Sequence, residues 1–309
     1  MDHLRTMSGG HSHHHHHHHG HADGPRDARW LIGIGLNVAF VAVEAAAGLL
    51  GHSMALLADA GHNLSDVLTL ALSGAAAWLA RQPSGPQRTY GFGKATVLAA
   101  LANAVLLIFA CGFIASEALG RLTHPAEPAT GVMMAVAAAG VLVNGATALL
   151  FTRGRQTDVN VRSAFLHMAA DAAISAGVVV AGALILITGR SWIDPAVSIL
   201  ILVAILIGTW DVLKEALDLA MDTAPAAVDV AAVRAFLQTC PKVSEVHDLH
   251  VWPLSTTETA LTAHLVRPGG ADDDFLKATA EALHARFGIQ HATLQVEAES
   301  LAACEALHD

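Results

Sequence analysis

The chain is short of charge, of aromatic rings and of cysteine. Asp, Glu, Lys and Arg together make up 14% of its 309 residues, aromatic residues make up 5%, and there is a single tyrosine. Soluble domains carry about 25% charged residues. This shortage, with a positive mean hydropathy, argues against an ordinary soluble globule and for a protein whose main solvent is lipid. The three cysteines, Cys111, Cys240 and Cys304, have no regular spacing, which argues against a disulfide framework. The formal charge of −10 is spread along the chain with no basic patch, so nucleic acid is not expected as a partner.

What the sequence does hold is long apolar runs. A spanning helix needs roughly 20 mostly apolar residues, and six segments qualify, at approximately 30–50, 54–80, 95–120, 130–151, 164–188 and 193–213. Breakers separate them: Gly51-His52-Ser53, QPSGPQ (82–87), HPAEP (124–128), the polar run RGRQTDVN (153–160) and Gly189-Arg190-Ser191. The polar N-terminus leads straight into a full-length span, so a cleavable signal peptide is not expected. Lys and Arg in short loops set orientation. Arg26, Arg29, Arg81, Arg88, Lys94, Arg153, Arg155 and Arg162 fall on one side, against Arg121 and Arg190 on the other. Both termini are therefore expected in the cytoplasm. Composition changes after residue 214. A helical pattern (228–238), an alternating run VSEVHDLHVWPL (243–254), a second strand-like run (258–268), an amphipathic helix (272–287) and a last strand (291–299) give the order α-β-β-α-β. The expected organisation is a His-rich cytosolic tail (1–27), a six-helix transmembrane domain (28–214) and a cytosolic α+β domain (215–309) with helices on one face of a sheet.

Two of the oily segments share one polar pattern. LADAGHNLSD (57–66) places His62 four residues before Asp66, and AFLHMAADAAIS (164–175) places His167 four residues before Asp171. The i, i+4 spacing puts both side chains of a pair on one helix face, a turn apart. In the expected topology the second and fifth spans are antiparallel, so packing them together would bring His62 level with Asp171 and Asp66 level with His167. Two nitrogens and two oxygens then suit tetrahedral zinc at about 2.0–2.2 Å. Two carboxylates and two neutral imidazoles sum to two negative charges, which a divalent cation neutralises. Without metal, each aspartate near the bilayer centre would cost about 2.5–3.5 kcal/mol on insertion scales, and proton uptake is the obvious relief. The same ligands must lose protons before they bind metal, so a site holding either protons or metal is the thermodynamic basis of an antiporter. The competing reading is helix–helix hydrogen bonding, or a wet cleft that binds no metal. Asp59 and Asn63, on the His62 face, serve as an approach path or as hydrogen-bond partners. Glu44, Asn37, Asn103, Glu117 and Asn144 are read as packing groups.

LLADAGHNLSD with the second HxxxD motif, the TYGFGKATVLAALANA segment (89–104) and VHDLHVWPL (246–254) resemble the cation diffusion facilitators, specifically their zinc-transporting branch. The likeness runs from about residue 28 to 298. It implies a proton-coupled exporter of divalent metal, a homodimer, six helices, and a cytosolic domain of ferredoxin-like, metallochaperone-type fold. It carries the transport-site roles onto His62, Asp66, His167 and Asp171, with His62 favouring zinc over other metals. Composition and family together suggest a bacterial inner membrane.

In the cytosolic domain, His247 and His250 lie three residues apart in an alternating strand. They are expected on opposite faces, able to share a metal only with help from a bend, and His264 on the neighbouring run could pair with one of them. By resemblance, His247 and His264 match ligand positions, with Glu297 as carboxylate partner. Some members add a C-terminal CxxC; here only Cys304 is present, which weakens any thiolate-rich site. The first cytosolic loop, RQPSGPQRTYG, lacks the Asp and His that build a further metal site in some members, so none is expected there. The N-terminal GGHSHHHHHHHGHADG (9–24) is metal-binding by composition. It is read as a native disordered reservoir beside the pore entrance, the alternative being an expression tag.

Other classes compete less well. An intramembrane metalloprotease needs three protein ligands, an open position for water and a general base such as the Glu of HExxH; no HExxH occurs in the chain, and an enzyme is not expected. A membrane metal sensor that never transports is the other alternative. Within the transporter class, Cd²⁺, Co²⁺, Fe²⁺ or Mn²⁺ is the alternative substrate to zinc, because affinity alone selects poorly among divalent metals.

Overall fold

The structure is a computed structural model, and it describes residues 28–124, 126–150, 152 and 159–300. The His-rich tail, Arg26, Arg153, Arg155 and Cys304 lie outside the described residues, as do the side chains of Arg29 and Asn37.

The apolar runs form helices between their breakers. They are α1 (Ala28–Leu50), α2 (Met54–Ala80), α3 (Lys94–Thr123), α4 (Thr130–Leu150), α5 (Val159–Thr188) and α6 (Ile193–Ala220). Among the described residues, five helices, α2 to α6, are long and apolar enough to cross a membrane, and in α1 the described apolar stretch is Val38–Leu50. Large apolar side chains such as Phe109, Phe113, Leu142, Leu186 and Ile207 point outward from these helices, as expected where the surroundings are lipid rather than water. Two boundaries differ from expectation. α5 begins inside the polar run, at Val159, and α6 continues through KEALDLA to Ala220. Straight-chain and alanine residues keep a helix going whatever their polarity. Helix α6 stops at Ala220, two residues before Asp222, whose φ is +60°.

The described residues divide into two compact units, those within 28–56 and 126–197 and those within 57–124 and 198–300. In the first, α4 and α5 pack closely through small residues. A Cβ on Gly140 would stand 2.8 Å from Ser175 Oγ and 3.2 Å from the Phe40 ring of α1, and such small-residue contacts replace the hydrophobic drive that lipid does not supply. The start of α2 is fastened to the first turn of α6. The carboxylate of Asp194, 1% exposed, accepts hydrogen bonds from Ser53 Oγ (2.6 Å), Met54 N (2.6 Å) and Ala55 N (3.2 Å). Ser53 Oγ also accepts from Leu56 N at 3.2 Å. Donors that a helix start leaves unsatisfied are thus met by a side chain from another helix.

In the second unit, Lys94 at the start of α3 donates to the carbonyl of Leu219, near the end of α6, at 3.1 Å and pairs with Asp222. Thr256 N donates to Thr96 Oγ1 at 3.1 Å. Gly93 lies so close to Leu254 that a Cβ would stand 2.7 Å from its carbonyl oxygen.

The C-terminal part contains α7 (Val230–Gln238), β1 (Glu245–Pro253), β2 (Thr259–Val266), α8 (Asp273–Phe287) and β3 (His291–Glu297), in the α-β-β-α-β order read from the sequence. Local chemistry fixes the helix ends. Asp229 caps α7 by accepting from Ala232 N (3.0 Å), and Asp272 caps α8 by accepting from Phe275 N (2.8 Å). Asp273 and Asp274 sit in the first turn of α8, His284 and Arg286 in its last, and Gly288 ends it at φ +67°; each suits the helix dipole or the left-handed stop. The sheet order is β1-β2-β3, with β1 antiparallel and β3 parallel to the central β2. Val233, Leu237, Val246, Val251, Leu261, Ala263, Leu265, Phe275 and Leu283 form the core between sheet and helices.

Candidate functional site

Each intramembrane pair is brought together by its own helix. On α2, His62 and Asp66 hold ligand atoms within 4.8 Å of each other, on the face that also carries the buried Asp59 and Asn63, while Leu64 and Leu68 point outward. On α5, His167 Nε2 stands 3.7 Å from Asp171 Oδ2. Asp171 is 2% exposed and His167 is 41% exposed, so this pair joins a buried carboxylate to an accessible imidazole. Of the other polar residues in spans, Glu44 is fully buried, and Glu117 pairs with Arg121 at 3.1 Å in i, i+4 spacing.

The C-terminal part gathers a second group. His247 and His264 face each other across β1 and β2 in direct register, with ring centroids 5.3 Å apart and edge to face. Glu297, at the end of β3, reaches both: its Oε2 is 3.4 Å from His247 Nε2 and its Oε1 is 3.1 Å from His264 Nδ1. Period-two alternation puts all three on the sheet face opposite the apolar core, whose β2 members are Leu261, Ala263 and Leu265. His247 and Glu297 are both buried. Both ring nitrogens of His247 and Nδ1 of His264 make no hydrogen bond, and one ligand atom from each of the three residues lies within 4.8 Å of the others. Two nitrogens and a carboxylate oxygen, buried and without hydrogen-bond donors to the rings, fit a borderline cation such as zinc.

One expectation is corrected here. The register between β1 and β2 slips by one residue between His247 and His250, a β-bulge centred on Asp248, whose φ is +48°. One extra residue resets the alternation, so His247 and His250 share a face. The bend exists, yet His250 does not join the group around Glu297. It is exposed and bonds Asp248 Oδ1 through Nε2 at 2.9 Å. Asp248 itself, whose Oδ2 lies 3.4 Å from His264 Nε2, went unread. Only the acidic residue inside HDLH could have signalled it.

Residues 30–219 match the cation efflux transmembrane domain family, and residues 225–299 match the cytoplasmic domain of cation efflux proteins. The chain belongs to the cation efflux, or cation diffusion facilitator, family. It is similar to the metal cation efflux system protein CzcD of Cupriavidus metallidurans, with 33% identity over 89% of this chain and 86% of that one. The zinc transporter ZitB of Escherichia coli is 35% identical over 87% of each chain. A cadmium, cobalt and zinc/H⁺–K⁺ antiporter of Bacillus subtilis is 31% identical over 91% of this chain and 92% of that one. This member of the cation diffusion facilitators is thus a multi-pass membrane transporter for efflux of divalent metal cations.

The cation efflux cytoplasmic domain also holds Cys240, whose thiol is pushed up by burial, against the opposing pull of a Thr279 hydrogen bond and of Arg286. It donates weakly to the Phe236 carbonyl, and as a neutral thiol it is a poor metal ligand.

Proposed function

We propose that the chain exports Zn²⁺ in exchange for protons, with His62, Asp66, His167 and Asp171 closing around one ion between α2 and α5. One observation carries this reading: two apolar helices each present a His–Asp pair at i, i+4, and within each pair the ligand atoms already lie close enough to meet the same ion. A buried carboxylate such as Asp171 is costly in lipid unless a cation or a proton neutralises it. In the cycle we infer, zinc enters from the cytosol, rocking of the helices opens the site outward, and protons displace the metal and return inward. Substrate held at the midplane with alternating access is usual for secondary transporters. The names of the relatives, which include zinc transporters and a proton-linked antiporter, support the choice of ion and counter-ion. His62 favours zinc over Cd²⁺, Co²⁺, Fe²⁺ and Mn²⁺.

The same reading includes six spans, both termini in the cytoplasm of a bacterial cell whose inner membrane holds the protein, and a homodimer. The cytosolic domain is read as ferredoxin-like and as binding a regulatory zinc through His247, His264 and Glu297. Metal bound there would favour one transport state by differential affinity.

The test is uptake of Zn²⁺, Cd²⁺, Co²⁺, Fe²⁺ and Mn²⁺ into proteoliposomes with and without a pH gradient. Wild type, His62→Ala and Asp171→Ala would be compared. Zinc uptake is expected to follow the gradient and to vanish in both variants. Equal zinc flux with the gradient collapsed would remove proton exchange from the mechanism. A protein that binds metal but never moves it would be a sensor.

A further inference from the structure

We propose that Asp248 is a positioning residue for the cytosolic metal group: it holds the imidazole of His264 in the tautomer that leaves Nδ1 free to bind the ion. The inference rests on the reading of His247, His264 and Glu297 as a metal site.

A neutral imidazole carries one N–H and one lone pair, and a carboxylate can only accept. His264 is held between two carboxylates, with Nε2 3.4 Å from Asp248 Oδ2 and Nδ1 3.1 Å from Glu297 Oε1. Whichever nitrogen carries the proton, the other turns its lone pair toward an anionic oxygen. If the proton sits on Nδ1, it occupies the place between His264 and Glu297 and blocks the ligand nitrogen. If it sits on Nε2, it faces Asp248, and a cation between Nδ1 and Glu297 satisfies both acceptors. With a cation bound at Nδ1 the second arrangement holds, and Asp248 is the acceptor that receives the Nε2 proton. A carboxylate behind a metal-bound histidine also raises the basicity of the ligand nitrogen.

The backbone is shaped for this role. Asp248 is one of the two residues, with Leu249, that the β1 bulge sets between the His247 and His250 pairings, and it sits at φ +48°, a conformation that Asp and Asn tolerate better than other side-chain-bearing residues. The bulge puts His247 and His250 on one face and sets the Asp248 carboxylate between His250 and His264. His250 Nε2, bonded to Asp248 Oδ1 at 2.9 Å, then holds the carboxylate in place from the solvent side. His250 acts through Asp248 and Asp248 through His264, so the chain from the surface to the buried site alternates imidazole and carboxylate.

The experiment uses the full-length protein in detergent, with Asp66→Ala and Asp171→Ala removing the transport pair from the signal. Co²⁺ is titrated and its visible absorption recorded, and Zn²⁺ is then added to displace it. The component lost in His264→Ala defines the site. Asp248→Gly removes the carboxylate while suiting the left-handed backbone, and Asp248→Asn restores an acceptor oxygen. Asp248→Gly is expected to weaken this component about 10- to 100-fold, the usual cost of losing such a partner. Asp248→Asn should recover a large part of it, and metal-free melting should be alike in both. Undiminished affinity in Asp248→Gly would overturn the positioning role. So would loss of one whole metal equivalent with the rest unaltered, which would make Asp248 a ligand in its own right. A Co²⁺ spectrum unchanged by His264→Ala sinks the cytosolic metal site itself, and the inference with it.

Discussion

The two His–carboxylate groups use the same functional groups in opposite ways. In the membrane, each pair is local: four residues of one helix bring imidazole and carboxylate together, and no residue from elsewhere is needed to make the pair. In the cytosolic domain the group is assembled from three strands, with His247, His264 and Glu297 held in place by sheet register. A pair carried by one helix can move with that helix without being broken. A group spread over a paired sheet cannot separate without breaking the ladder. The first design suits ligands that must trade partners during a transport cycle, and the second suits a site of constant geometry. The imidazole exposures agree: His167 is 41% exposed and His247 7%.

Four changes test that contrast. The largest effect is expected from Asp66→Ala or Asp171→Ala, which should bring zinc flux in proteoliposomes to the level of empty vesicles while the protein still inserts and melts cooperatively. Retained flux in either would mean that the pairs are packing groups. Next comes Asp194→Ala, which removes three hydrogen bonds to one buried carboxylate. A cap is worth about 0.5–2 kcal/mol and hydrogen bonds to a charged group about 1.5–3. A loss of about 2–4 kcal/mol is therefore expected from equilibrium unfolding in detergent, with Asp194→Asn losing less. His264→Ala should act on regulation rather than on the path. Flux at saturating zinc is retained, and the zinc concentration for half-maximal flux shifts by about tenfold, a coupling of the usual 1–3 kcal/mol. The smallest effect concerns Cys240. Burial raises its thiol, so alkylation of the folded protein near neutral pH should lag behind that of the unfolded chain and quicken only at more alkaline pH. Cys240→Ser should leave both His–carboxylate groups unchanged.

The sequence made the helices legible because breakers and apolar length are local signals. QPSGPQ and Gly189-Arg190-Ser191 fall between helices as read. The fifth span, read at about 164–188, has its apolar stretch at Phe165–Thr188. Helices α5 and α6 run past the spans read from hydropathy, because hydropathy measures the depth of lipid, whereas a helix continues as far as its backbone hydrogen bonds allow. The HxxxD pairs were legible for the same reason as the helices, since spacing along one helix fixes which side chains meet. The link from Asp194 to Ser53 was not, because 141 residues separate them and nothing local to either names the other. The bulge at Asp248 was hidden by the assumption of strict alternation, which fails wherever one strand carries an extra residue.

The Asp194 fastening bears on how the helices can rearrange. Three bonds converging on one carboxylate keep the first turn of α2 from sliding along the first turn of α6. A rearrangement that kept those bonds would pivot α2 about that knot, with displacement growing with distance along the helix. His62 and Asp66 stand about two and three turns further on, where a small rotation at the fulcrum becomes a sizeable change in reach.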